Sequence, residues 1–210
     1  MTAPAVRAAV LLEPRRIEFR DLPLPDIGPD DVELEPLFVG VCGTDLACYA
    51  GKNALLKTPV VLGHEFCARV CVCGDQVTTV SPGQVVAVAP LIACGQCHFC
   101  AAGQEHLCPE RVIFGVACDG ALRERLMMPS RTLFPVPDGA DWSECALVEP
   151  LAVAVHAAKR TPVTSRRVMI SGAGAIGLLI AQVVRASGTK SVALLDIDEK
   201  RLDLARRIGF

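Results

Sequence analysis

Cys94, Cys97, Cys100 and Cys108 stand at C-x2-C-x2-C-x7-C spacing, and no other stretch restricts the fold of this chain so strongly. Cysteines this close on a tight loop can turn four sulfurs toward one tetrahedral ion, and four thiolates leave no position open for water. The lobe therefore reads as a structural zinc site. An iron–sulfur cluster uses the same four ligands and stays open as an alternative, as does a chance cluster of loop thiols. His98 and His106 fall inside the lobe, but four sulfurs already complete a shell, so both read as surface histidines. The chain has eleven cysteines, an odd number. In a reducing compartment that favours metal ligands and buried thiols over disulfides. Cys48, Cys67, Cys71, Cys73, Cys118 and Cys145 lack ligand spacing, and most of them read as small core hydrophobes.

A second group is dispersed along the chain. Cys42, the pair His64-Glu65 and Glu149 offer a thiolate, an imidazole and two carboxylates, a mixture that zinc accepts at catalytic sites. Each residue alone has a plainer reading: a core cysteine, a hydrogen-bonded loop histidine, surface acids. Only convergence would make them a metal centre.

The third signal is Ser171-Gly172-Ala173-Gly174-Ala175-Ile176-Gly177, between the apolar run at 167–170 and a helical pattern through Leu178 to Ala186. Gly172 permits a tight turn, Gly174 lets a pyrophosphate approach, and Gly177 allows close helix packing, while the helix N-terminus presents free amides. A second strand at 191–195 ends at Asp196, where an acid grips ribose hydroxyls and repels a 2′-phosphate; NAD is expected over NADP. A glycine-rich turn without a nucleotide is the alternative.

Around these signals, strands are expected at 6–12, 17–20, 32–38, 66–73, 84–89 and 121–128, separated by breakers such as Gly74-Asp75, Pro82-Gly83 and Asp119-Gly120. In 32–38, Val32, Leu34 and Phe38 are expected on one face and Glu33 and Glu35 on the other. Residues 142–159 read as helical, and the pattern breaks at 161–167 before an α/β portion begins. Apolar residues make up 51% of the chain, with a mean hydropathy of +0.41, ample for a packed core. A net charge of -2 gives no electrostatic reason to expect nucleic acid or an anionic membrane. The apolar run Ala8 to Leu12 is too short for a signal-peptide core, and no run of about 18 apolar residues could span a bilayer, so the expected location is the cytoplasm.

Taken together, GVCGTDL (40–46), GHEFCARV (63–70), the four-cysteine lobe and VEPLAVAVHA (148–157) leading to SGAGAIG resemble the medium-chain zinc-dependent alcohol and polyol dehydrogenases. The resemblance implies a mixed fold: a mostly-β GroES-like catalytic domain over 1–145, then an incomplete α/β Rossmann domain over 146–210. It implies catalytic zinc held by Cys42 and His64, with Glu65 as an exchangeable ligand and Glu149 at the third-ligand position, where classical alcohol dehydrogenases carry cysteine and the sorbitol-like branch carries glutamate. Asp45 would orient His64, and Thr44 would carry the substrate proton. Gly172, Gly174, Ile176, Gly177 and Asp196 would line the NAD site, and Arg201 would pack on the adenosine, unless it is simply an exposed helix arginine. The implied activity is hydride transfer from a secondary alcohol, polyol or sugar-type hydroxyl to NAD, in a homo-oligomer when full length.

Three departures qualify these expectations. Ala47 stands where many relatives have the histidine that ends a proton relay, and Ala68 replaces the glycine of GHExxG. The sequence given also ends at Phe210, after two strands of a sheet that should have about six, so a fragment is expected, with full activity in a longer chain. A non-catalytic zinc module is the competing reading; a thiol-based redox sensor rests on cysteine count alone.

Overall fold

Alternating burial along Ala5–Glu13 (β1), with Val6, Ala8 and Val10 inward, sets the first layer of the computed structural model, which describes residues 5–54 and 56–210. The chain continues through Arg16–Pro23 (β2), Asp31–Gly40 (β3), Gly43–Tyr49 (α1), Val60–Val61 (β4), Glu65–Cys73 (β5), Val85–Val88 (β6) and Leu91–Ile92 (β7). His98–Ala101 (α2), Val112–Ile113 (β8), Leu126–Pro129 (β9), Leu133–Pro135 (β10), Trp142–Cys145 (α3) and Val148–Lys159 (α4) follow. Arg167–Ser171 (β11), Ala175–Ala186 (α5), Ser191–Leu195 (β12) and Glu199–Arg207 (α6) complete it. The chain divides after Glu149, within α4, into two compact units.

In the first unit, β1 pairs antiparallel with both β2 and β4, and a five-stranded sheet runs in the order β10-β6-β5-β3-β9. Its buried face joins Val32, Leu34, Phe66, Val70, Val86, Leu126 and Met128 in one cluster. Most of these are β-branched or γ-branched residues that fill a pleated surface, and burying each fully contributes about 1.5–3 kcal/mol. The pair β7-β8 carries the excursion that contains the four-cysteine lobe.

Two expectations are corrected. Val32 and Leu34 are fully buried, but Phe38 is 44% exposed. The β3–β5 register shifts between Pro36 and Phe38, and one extra residue turns Phe38 outward and packs Val39 on the core. Residues 121–125 are not strand: they make irregular pairings, such as Ala121 N–H to Gly63 C=O at 2.9 Å and Ala9 N–H to Leu122 C=O at 2.9 Å. The helical stretch expected over 142–159 forms as two helices, because Pro150 has no N–H to bond the Ala146 carbonyl of a continuous helix and is accepted only in the first turn of α4. The short helix α1, too brief to show an apolar period, was not anticipated.

In the second unit, β11 and β12 pair in parallel, with Val168, Ile170, Val192 and Leu194 packed with residues of α5 that include Ala181 and Val184. Met169 and Leu195, of the opposite parity, are exposed. Among the described residues, no helix is long and apolar enough to cross a membrane.

Candidate functional site

Cys42 lies two residues beyond β3 and stands at the N-cap of α1; Glu65 opens β5 directly across the ladder from Gly40, with His64 just before it. These elements bring the sulfur of Cys42, an imidazole nitrogen of His64 and a carboxylate oxygen of Glu65 within 4.8 Å of one another. His64 and Glu65 are buried. Gly40 makes room for the acid: a Cβ there would lie 2.8 Å from Glu65 Oε2.

Asp45, at the third position of α1, is the hub behind the imidazole. Its Oδ2 accepts from Cys42 N–H at 2.8 Å, the return half of a capping box. Its Oδ1 accepts from Gly63 N–H at 3.4 Å and stands 3.5 Å from His64 Nδ1. The last contact is an ion pair rather than an aligned hydrogen bond, since buried Nδ1 has no hydrogen-bond partner. The Asp45 carboxylate nevertheless holds the imidazolium form, raising His64 to about 9 against the opposing effect of burial. Thr44 is partly buried on the same helix.

Glu149 is not among the groups within that 4.8 Å cluster. It is close enough to be felt: burial pushes its carboxyl above the ordinary range, the charge of Glu65 adds to this, and His64 opposes it. A half-buried sulfur with a buried nitrogen and carboxylate, and a further carboxylate behind the histidine, fits zinc by the chemistry of its donors.

The sulfurs of Cys94, Cys97, Cys100 and Cys108 also fall within 4.8 Å of one another. Cys94 N–H points at Cys108 Sγ at 3.4 Å, and Cys97 Sγ lies 3.5 Å from Cys100 Sγ. Backbone N–H groups of Gln96 and Cys97 bring the Cys94 thiol down to about 7, whereas burial and hydrogen bonding to Cys97 push Cys100 up to about 12. Thiols crowded in this way cannot all ionise without a cation, and a divalent ion that binds thiolate fits the site. His98 and His106 are exposed and outside the cluster. All eleven cysteines are free; burial raises the thiols of Cys48, Cys67, Cys71, Cys73, Cys118 and Cys145.

In the second unit Gly172 takes φ +102, and a Cβ on Gly177 would collide with the Gly172 carbonyl oxygen. Nothing lies within 4 Å of a Cβ position on Gly174, the N-cap of α5, so the helix N-terminus is open to a phosphate. Ile176 is the second residue of α5 and 39% exposed. Asp196 does more than expected: its Oδ2 accepts from Ala173 N–H at 2.7 Å and its Oδ1 from Asp198 N–H at 2.9 Å, and these donors depress its pKa. The acid expected to face a ribose thus also ties down the glycine turn. Arg201 lies in the same corner, Nη1 3.5 Å from Asp196 Oδ2, with its side chain 57% exposed.

Sequence reasoning read Gly120 only as part of a turn and did not single out Gly40 or Gly115. Close backbone approach is a three-dimensional property, and glycines in unlike segments are its only trace in the sequence.

Residues 28–138 match the alcohol dehydrogenase GroES-like domain family. The chain is 39% identical over 192 residues to the L-threonine 3-dehydrogenase of Streptomyces avermitilis, covering 90% of this chain and 56% of that protein. It is 34% identical over 209 residues to the sorbitol dehydrogenase of Bacillus subtilis, covering 97% and 59%. Among solved structures, a zinc-binding dehydrogenase of Sinorhizobium meliloti bound to NADP superposes with a TM-score of 0.90 at 32% identity, over 98% of this chain and 60% of that one. The chain thus spans less than two thirds of the length of these relatives.

Proposed function

The chain belongs to the zinc-dependent medium-chain dehydrogenases built on an alcohol dehydrogenase GroES-like domain, and from that premise we propose that it serves hydride transfer from a secondary alcohol, polyol or sugar-type hydroxyl to NAD. The observation that carries the reading is the convergence of Cys42, His64 and Glu65 into one cluster of mixed donors, two of them buried. Under it, residues 1–145 form the catalytic domain and 146–210 the first part of a nucleotide-binding domain. In its full-length form the protein is a cytoplasmic homo-oligomer; the free cysteines support a reducing compartment.

Cys42 and His64 would hold the catalytic ion, with Glu65 as an exchangeable ligand and Glu149 at the third-ligand position, and the four-cysteine lobe would hold a structural one. When bound, zinc supplies the Lewis acid that acidifies an alcohol hydroxyl, and NAD supplies the hydride acceptor. Asp45 fixes the imidazole so that Nδ1 faces a carboxylate and the other nitrogen is left for the ion. Thr44 Oγ1 takes the substrate hydroxyl proton and passes it to water, since Ala47 offers no further relay. The amides at the Gly174 end of α5 receive the pyrophosphate, Asp196 faces the ribose and Arg201 flanks it. The Asp196 carboxylate favours NAD by repelling a 2′-phosphate, although the relative from Sinorhizobium meliloti binds NADP.

The test is metal content of the 210-residue chain before and after brief chelation, with Cys42→Ser beside it. Two zincs per chain, one labile and absent from Cys42→Ser, is the expected result. A single resistant zinc in the unaltered chain would overturn the assignment of the mixed-donor site.

A further inference from the structure

We propose that Gly115 and Gly120 are positioning residues for His64: their bare backbones clamp the Gly63–His64 peptide and so set where the imidazole meets Cys42 and Glu65. The inference rests on the metal-site reading above but concerns residues outside the ligand set. A Cβ on Gly120 would collide with the carbonyl oxygen of Gly63 and would lie 2.6 Å from Gly115 Cα and 2.8 Å from the Leu62 carbonyl oxygen. On Gly115 it would lie 2.6 Å from Gly63 O, 2.8 Å from Gly63 C and 2.9 Å from Gly63 N. All of these atoms are backbone, which cannot swing aside as a side chain can. Three glycines from two separate stretches therefore crowd together at the peptide that precedes the histidine.

Hydrogen bonds close the clamp. Gly120 N–H donates to Val61 C=O at 2.7 Å, Ala121 N–H to Gly63 C=O at 2.9 Å, and Leu122 N–H to Leu62 C=O at 3.0 Å. Asp119 Oδ1 accepts from Val61 N–H at 2.9 Å. The strand leading into His64 is thus held on one side by residues 119–122, while Asp45 takes the Gly63 N–H. A shift of the Gly63 peptide moves His64 and strains its link to Asp45 together.

The two glycines differ in a way that makes the proposal testable. Gly115 has φ +73, so any side chain there is strained whatever its surroundings, whereas Gly120 is outside the left-handed region. Replacing Gly120 therefore probes contact alone. Gly139, with φ +80 and nothing within 4 Å of a Cβ position, supplies the opposite control of strain without contact.

The experiment is cobalt(II) titration of the full 210-residue chain, because the four-thiolate and mixed-donor sites give different absorption spectra. Gly120→Ala is expected to weaken cobalt binding at the mixed-donor site by about tenfold or more, with the four-thiolate spectrum and Gly139→Ala unchanged. Should Gly120→Ala fail to fold, Asp119→Ala removes the anchor of Val61 without adding bulk, and Asp119→Asn keeps an acceptor there. Weakened mixed-site binding in Asp119→Ala that is restored in Asp119→Asn supports the clamp. Unchanged affinity at the mixed site in folded Gly120→Ala, or in Asp119→Ala, overturns it. If the unaltered chain takes no cobalt at the mixed site, the functional reading itself fails, and that outcome is distinct.

Discussion

The two candidate metal centres of the first unit solve one problem by opposite means. The four-cysteine lobe draws every ligand from residues 94–108, and its sulfurs meet through tight turns and the short helix α2. The Cys42, His64 and Glu65 cluster takes its donors from the end of β3 and the start of β5, registered by a ladder that pairs Gly40 with Glu65. One site needs a loop to close; the other needs the sheet to form. A local site can therefore act as a staple whose metal contributes folding free energy, while a dispersed site is only as well built as the backbone behind it.

That contrast predicts an asymmetry, and the largest effect should come from the lobe. Cys108→Ser removes one of four thiolates and should abolish tight metal binding there. It should also weaken the mixed-donor site, because the chain runs from Cys108 through β8 to Gly115, which packs on Gly63. Cys42→Ser should leave the lobe intact. Metal content and thermal melting of both variants check this: a lobe variant whose mixed-donor site is unaffected would break the proposed dependence.

The next effect concerns the carboxylate behind the histidine. His64 is raised from 6.5 to about 9 in the folded chain, so in the metal-free protein the charged pair with Asp45 contributes stability that is fully present below 6.5 and lost as pH rises through about 9. Asp45→Asn keeps an acceptor for Cys42 N–H but removes the charge. It should return the His64 titration toward 6.5, flatten the loss of stability between those pH values, and reduce metal affinity about tenfold. NMR titration of the imidazole with denaturant midpoints across that range measures both; a His64 that still titrates near 9 would assign its shift to something other than Asp45. The lobe, which contains no such buried pair, should show no matching change.

The same contrast explains what could be read from the chain. The lobe was legible because its ligands sit at fixed short spacing, and the glycine turn before α5 because Gly172, Gly174 and Gly177 each have a local backbone task. The dispersed donors were legible only through resemblance, since nothing in the spacing of Cys42 and His64 says that β3 and β5 pair. Hydrophobic period failed at Phe38, where a bulge reverses the faces, and it carried no sign of the break at Ala146, where a proline four residues on ends the first helix. Burial of an acid cannot be read from its identity, so the distinction between Glu65, inside the cluster, and Glu149, outside it, emerged only in three dimensions. The clamp of Gly63 by Gly115 and Gly120 left even less trace, because a glycine that makes room looks like a glycine that makes a turn.

The smallest effect should come from the residue that makes room rather than contact. Gly40 faces Glu65 across the ladder, and an added Cβ would meet Oε2 at 2.8 Å, Cβ at 3.1 Å and the backbone oxygen at 3.4 Å. The nearest of these is the far end of a flexible side chain, which can rotate away, while the other two require a shift of only tenths of an ångström. Gly40→Ala should therefore displace one carboxylate and spare Cys42 and His64, giving a loss of metal affinity of about threefold to tenfold, below that for Asp45→Asn. Chelator release rates can rank the variants. A Gly40→Ala loss as severe as that of Cys42→Ser would mean that Glu65 anchors the ion as firmly as the sulfur does, and the picture of an exchangeable carboxylate would have to be given up.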